Sequence, residues 1–181
     1  MRALLLTLLL ACGPKAAPPM AAATAQSTAL VALHSSPTGG SPTALPESVQ
    51  QALLATLTEH NLPATPLSAE RFGPGLQGKR LSPHRLSWLA ENADGAKLIV
   101  LIETEVERYS ELSGRYRWVV HLRTSVAPAD NPSAAISRQT DFPVFLEHHH
   151  EREAEALLAA APLLRRELSR LLDDWIAGTQ P

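Results

Sequence analysis

KLIVLIETEVERYSELSGRYRWVVHLRTSV, residues 97–126, alternates apolar and polar side chains on either side of Leu112-Ser113-Gly114. Leu98, Val100, Ile102, Thr104 and Val106 share one face of the first half; Ile99, Leu101, Glu103, Glu105 and Glu107 share the other. The second half sets Tyr116, Trp118, Val120, Leu122 and Val126 against Arg115, Arg117, Val119, His121 and Arg123. A period of two in β-branched and aromatic residues is the pattern of half-buried strands, so the stretch predicts a β-hairpin. For its two apolar faces to coincide, the numbers of paired residues must sum to an even value, because a slip of one residue turns every side chain over. A three-residue loop at 112–114, with Gly114 left-handed, meets that condition. It sets Glu103 opposite Arg123, Glu105 opposite His121 and Val106 opposite Val120. Facing opposite charges contribute up to ~1 kcal/mol per pair. These Glu and Arg residues therefore read as the dressing of a wet sheet face rather than as an acid–base site. Residues 98–102 are apolar on both faces, which asks for cover on both sides, by helices.

Outward from the hairpin, residues 27–33 (STALVAL) and 64–67 predict short strands, and 134–145 a weaker one, with Pro143 placing it at an edge or ending it. Residues 46–60 form an amphipathic helix, with Val49, Leu53 and Leu57 on one stripe and Asn61 and Pro63 ending it. Ser82-Pro83 starts a second helix, over 84–92, stopped by Asp94-Gly95. The last helix runs over 147–177, its stripe Leu157, Ala161, Leu164, Leu168, Leu171 and Trp175 continuing past a kink at Pro162. Together these predict an α/β (α+β) domain over 27–178. Its sheet is mixed, mainly antiparallel and four- to five-stranded, with packed helices and a long C-terminal helix.

The chain has 181 residues, one cysteine and a formal charge of −2, and so no basic footprint for nucleic acid. Its first residues carry a specific signal. Arg2 precedes a short apolar run, residues 3–10, too short to span a bilayer, and Leu9-Leu10-Ala11-Cys12 follows. This tetrad resembles the lipobox of bacterial lipoproteins. The resemblance implies that residues 1–11 are a removed signal peptide and that Cys12 is the lipidated first residue of the mature chain. Acyl chains contribute ~0.8 kcal/mol per buried CH₂, so the lipid on Cys12 is the expected membrane contact. Gly13 stands where an Asp would resemble an inner-membrane retention signal, which points to the outer membrane and its periplasmic face. Residues 12–26 are Ala/Pro-rich and read as a tether. With Cys12 acylated, neither a disulfide nor thiol catalysis is available.

Motifs for chemistry are sparse. GPGLQGK, residues 73–79, matches the start of a phosphate-binding loop. Arg80 stands where a Mg²⁺-holding hydroxyl belongs, and Pro83 blocks a helix directly after Lys79, so the match reads as chance. Pro37 and Pro42 remove amide donors from the Ser/Pro/Gly-rich loop 34–43, which argues against an anion nest there. The cluster from His148 to Glu153 is the one a metal would use. Adjacent helical residues point about 100° apart, so His149 and Glu153, with His150 as a weaker third, make a surface site at most. Zinc catalysis needs three protein ligands and an open position. No cofactor is implied, and His34, His60, His84 and His121 are scattered.

The order strand, helix, short strand, helix, three strands, long helix resembles the small α/β domain of several envelope lipoproteins. These are the penicillin-binding-protein activators, the curli-secretion lipoprotein and the N-terminal domain of the Tol translocation protein. ENADGAKLIVLI, from Glu91 to Ile102, carries the likeness with residues 115–126; residues 127–135 replace those families' Gly-rich turn. The lipopolysaccharide-assembly lipoprotein has a comparable layout. Likeness of fold does not transfer function; the leading expectation is a non-catalytic accessory or adaptor that binds another envelope component, through the sheet edge or the loops 35–43 and 72–81. It names no partner and no partner-binding residue. A small-ligand or metal-binding lipoprotein using the His148–Glu153 cluster is the alternative, and a hydrolase built around His121 comes third.

Overall fold

The computed structural model describes residues 27–36, 41–77, 79, 82–93, 95–112, 115–148 and 152–179. Cys12, the signal stretch, the tether, His149, His150 and the left-handed assignment for Gly114 lie outside them. Six strands, β1 (Thr28–Ser35), β2 (Thr43–Ala44), β3 (Ala64–Leu67), β4 (Leu98–Leu112), β5 (Arg115–Pro128) and β6 (Ile136–Leu146), form one sheet. Its order is β2-β1-β4-β5-β6, with β3 also on β1. β1 runs parallel to β3 and β4, and the other pairings are antiparallel. The sheet is thus mixed and mainly antiparallel. It exceeds the expected four to five strands because Thr43 and Ala44, read as loop, bridge to His34 and Leu33.

The hairpin keeps the predicted register along its inner length: Glu103 faces Arg123, Glu105 faces His121 and Val106 faces Val120. The tip differs. Leu112 pairs with Arg115, so the connection is two residues long and not three. A two-residue connection gives paired numbers an odd sum, which would put the apolar faces on opposite sides. The register shift between Arg108 and Ser110 absorbs Tyr109 and restores the even sum. It is a β-bulge, one extra residue in one strand.

Helices cover both faces, as residues 98–102 require. On one side α1 (Glu47–Glu59) and α4 (Glu153–Thr179) bury Leu53, Leu57, Leu164 and Leu168 against Leu30, Val100, Ile102 and Val126. On the other, α2 (Ala69–Leu76) and α3 (Ser82–Asn92) bury Phe72, Leu76, Leu86 and Leu89 against Val31, Leu33, Ile99 and Leu101. Each fully buried side chain of this size contributes about 1.5–3 kcal/mol. Asn61 and Gly95 hold the positive φ values, 58° and 72°, that end α1 and follow α3. Pro143 lies inside β6, on the edge strand, where a missing N–H is tolerated.

Three expectations are corrected. The helix α2 stands where a loop was expected: Ser68 caps it, its hydroxyl accepting from the Arg71 amide at 3.3 Å, and Phe72 and Leu76 are buried. Residue 72 is therefore core rather than part of a contact loop. The C-terminal helix begins at Glu153 and not at 147, with Arg152 already outside it. It continues through Pro162, which stands at an exposed position of the helix.

Candidate functional site

The last register partner of β1 is Ser35 opposite Glu105, so β4 runs past β1 from Val106 to Leu112. At ~3.4 Å per residue the overhang is about 24 Å long. The overhang, the end of β1, β2 and the first turn of α4 border an open hollow of about 760 Å³. Its apolar lining comes from Leu45, Pro46, Trp118 and Leu157. The sheet parity that buries Val106 and Val120 puts Arg108 and Trp118 on this same face, directly paired across the hairpin. Arg108 lies over the Tyr116 ring, 5.2 Å from its centre, and has no carboxylate partner among the described residues. Arg152 adds a second guanidinium to the rim. The buried Trp118 Nε1 meets no acceptor among the described residues.

His34, at the end of β1, closes one wall. Its Nε2 lies 3.0 Å from Glu153 Oε2 and its Nδ1 3.3 Å from Thr104 Oγ1. Thr104 also donates its hydroxyl to the Leu33 carbonyl, at 3.3 Å. Glu153, grouped with His149 and His150 by sequence, is thus engaged by a histidine 119 residues away. α4 starts at Glu153, and its proposed companions His149 and His150 lie outside the described residues. Among the described residues no group of three His, Cys, Asp or Glu side chains is placed to hold a metal.

A second hollow, about 360 Å³, lies on the opposite sheet face above α3. Arg85 and Glu103 form an ion pair there, each side chain only 15% exposed. Burial pushes the Glu103 carboxyl above its usual range, against the opposing pull of Arg85 and Arg123. Arg85 Nε and Glu103 Oε2 are buried without a hydrogen-bond partner among the described residues. Nearby, His121 Nδ1 sits 2.9 Å from Asp141 Oδ1, and that hydrogen bond raises its pKa. Its other nitrogen faces Glu107 at 3.8 Å, a carboxylate and not a hydroxyl. His60 likewise fails the triad geometry. Its Nδ1 donates to the Thr56 carbonyl at 2.8 Å, while Ser169 Oγ and Asp173 Oδ1 both crowd Nε2, each at 3.2 Å.

The phosphate-loop likeness dissolves in the structure. Residues 73–76 are helical, and Lys79 Nζ donates to the Gly75 carbonyl at 2.6 Å while lying over Trp88. A Cβ on Gly75 would stand 2.0 Å from Trp88 Cζ2, and one on Gly73 would stand 3.2 Å from the Pro42 carbonyl oxygen. Close packing against Trp88 demands glycine at 75 and leaves little room for a side chain at 73.

No family model matches the chain, and no curated protein matches it significantly. Among solved structures, a PelC dodecamer from Paraburkholderia phytofirmans is 13% identical, covering 81% of this chain and 88% of its own, with a TM-score of 0.46. Lipoprotein GNA1162 from Neisseria meningitidis is 13% identical, covering 78% and 97%, with a TM-score of 0.41. A minor lipoprotein from Acinetobacter baumannii is 9% identical, covering 83% and 92%, with a TM-score of 0.41.

Proposed function

We propose that the chain is a lipid-anchored envelope lipoprotein facing the periplasm, held by fatty acid on Cys12 after loss of residues 1–11. Its domain acts as a non-catalytic accessory that binds another envelope component, at the outer membrane. What supports this reading, beyond the tetrad ending in the chain's only cysteine, is the polarity of the domain. The chain enters at Ser27, whose carbonyl accepts from the Lys97 amide at 2.8 Å and whose hydroxyl donates to the Gly95 carbonyl. The hairpin runs away from that end and carries Tyr109, 65% exposed, near its far end, where Phe145 of the neighbouring β6 is 45% exposed. Arg117 lies over the Tyr109 ring, 4.7 Å from its centre. A tether at the Ser27 end leaves this aromatic and cationic tip free to meet a partner. Among the described residues no helix is long and apolar enough to cross a membrane.

Mass spectrometry of the protein from its native membrane tests the anchor. The expected mature chain starts at acylated Cys12, and a retained Met1 or a free thiol at Cys12 refutes it. A photo-crosslinking side chain at position 109, with position 130 beside the tether end as control, tests the accessory role. The expected result is an envelope component captured from 109 and not from 130; capture of nothing, or equal capture from both, refutes it.

A further inference from the structure

The cavity beneath the hairpin overhang combines features that neither a packing defect nor a plain polar cleft combines. At about 760 Å³ it falls within the size range of small-molecule sites, which are apolar with a few placed polar groups. It opens at the carboxyl ends of the parallel pair β1 and β4, where open α/β sheets commonly bind ligands. Its charge runs against that of the whole chain. The protein is net negative, at −2, yet among the described residues this rim holds the guanidiniums of Arg108 and Arg152 against one carboxylate, Glu153. That carboxylate already faces His34, whereas neither guanidinium has a carboxylate partner among the described residues. Leu45, Pro46 and Leu157 line the space beside them without offering a polar side chain.

We propose that this cavity binds a small anionic amphiphile, a carboxylate or phosphate headgroup on an apolar body. The headgroup lies between Arg108 and Arg152, which present the forked donors that suit such oxyanions. The apolar body lies along Leu45, Leu157 and the Trp118 ring. The two guanidiniums disfavour a cationic headgroup, and the contact of Glu153 with His34 keeps that carboxylate turned toward β1. The assignment stands independently of the anchor, because it uses only residues of the folded domain.

Laurate, kept below its micellar concentration, is the test probe, titrated into the full chain carrying Cys12→Ala so that no acyl group of the protein competes. Dodecanol and dodecyltrimethylammonium share its tail, and acetate and inorganic phosphate supply an anion without one. The expected result is saturable laurate binding, at least about tenfold weaker for both other amphiphiles, with no saturation by acetate or phosphate over the same range. Arg108→Gln with Arg152→Gln, both at exposed positions, lowers laurate affinity at least about tenfold and leaves dodecanol uptake unchanged. Trp118→Phe abolishes the laurate-induced change in tryptophan emission, which locates the ligand. Equal binding of laurate and dodecanol, an unaffected double variant, an emission change that survives Trp118→Phe, or no saturable laurate binding overturns the proposal.

Discussion

Replacing Gly75 by Ala isolates one steric claim. In a helix the substitution ordinarily gains up to about 1 kcal/mol, because glycine loses more backbone freedom on folding. Here the new Cβ would lie 2.0 Å from Trp88 Cζ2 and 2.1 Å from Cη2, against about 3.5 Å for an ordinary carbon contact. The indole must turn away. It then gives up its edge-on contact with Phe72, at 6.0 Å between ring centres, and the Lys79 ammonium above it. Overpacking of this kind costs about 1–3 kcal/mol and the aromatic contact about 0.5–1.5 kcal/mol. After a helical gain of about 1 kcal/mol, a net loss of about 0.5–3.5 kcal/mol remains. For a domain of this size that lowers Tm by about 1–14 °C. Thermal and urea unfolding of Gly75→Ala, with Gly178→Ala as control, measures it. A Cβ at Gly178 meets nothing within 4 Å, so the control stays within about 0.5 kcal/mol of the parent. In a Trp88→Leu background the Gly75→Ala penalty disappears, which assigns the loss to that contact. A Gly75→Ala protein as stable as the parent, or a penalty that persists without the indole, refutes the reasoning.

Two further outcomes follow from the charged sheet face. Arg85→Met strands the half-buried Glu103 carboxylate and costs about 3 kcal/mol at neutral pH; because burial already raises the Glu103 pKa, the loss shrinks as pH falls through its elevated value, as urea unfolding at pH 7.5 and 5 will show. Asp141→Asn removes the hydrogen bond that raises His121, so the parent's advantage, under about 1 kcal/mol for this exposed pair, is present between about pH 5 and 6 and fades as pH rises through the folded His121 pKa.

The hairpin was legible in the sequence because strand parity is a strong constraint wherever one face is buried. Glu103 opposite Arg123 and Val106 opposite Val120 follow from it once the turn is centred on residue 113. The tip was not legible, since a three-residue connection without a bulge and a two-residue one with a bulge satisfy the same inner register. Helix α2 escaped because Gly73, Pro74 and Gly75 carry loop propensities, and the packing against Trp88 and Pro42 that overrides them is tertiary. The capping serine at position 68 was the available signal. The cavity was the least legible part. His34 and Glu153 are far apart in sequence, and Arg108 reads as one more charge on an alternating strand. Only the overhang of β4 beyond β1, a matter of relative strand length, brings them together.

The extra residue at Tyr109 has an engineering consequence. Because it takes up a mismatch of one, the outermost turn is insulated from the inner ladder, and changes of length beyond that point need not propagate to the core. Deleting Tyr109 leaves a regular ladder in which Arg108 still faces Trp118 and Ser110 still faces Arg117. The arm can therefore accept grafted epitopes or shortened ends at its extremity while the body that carries it stays the same.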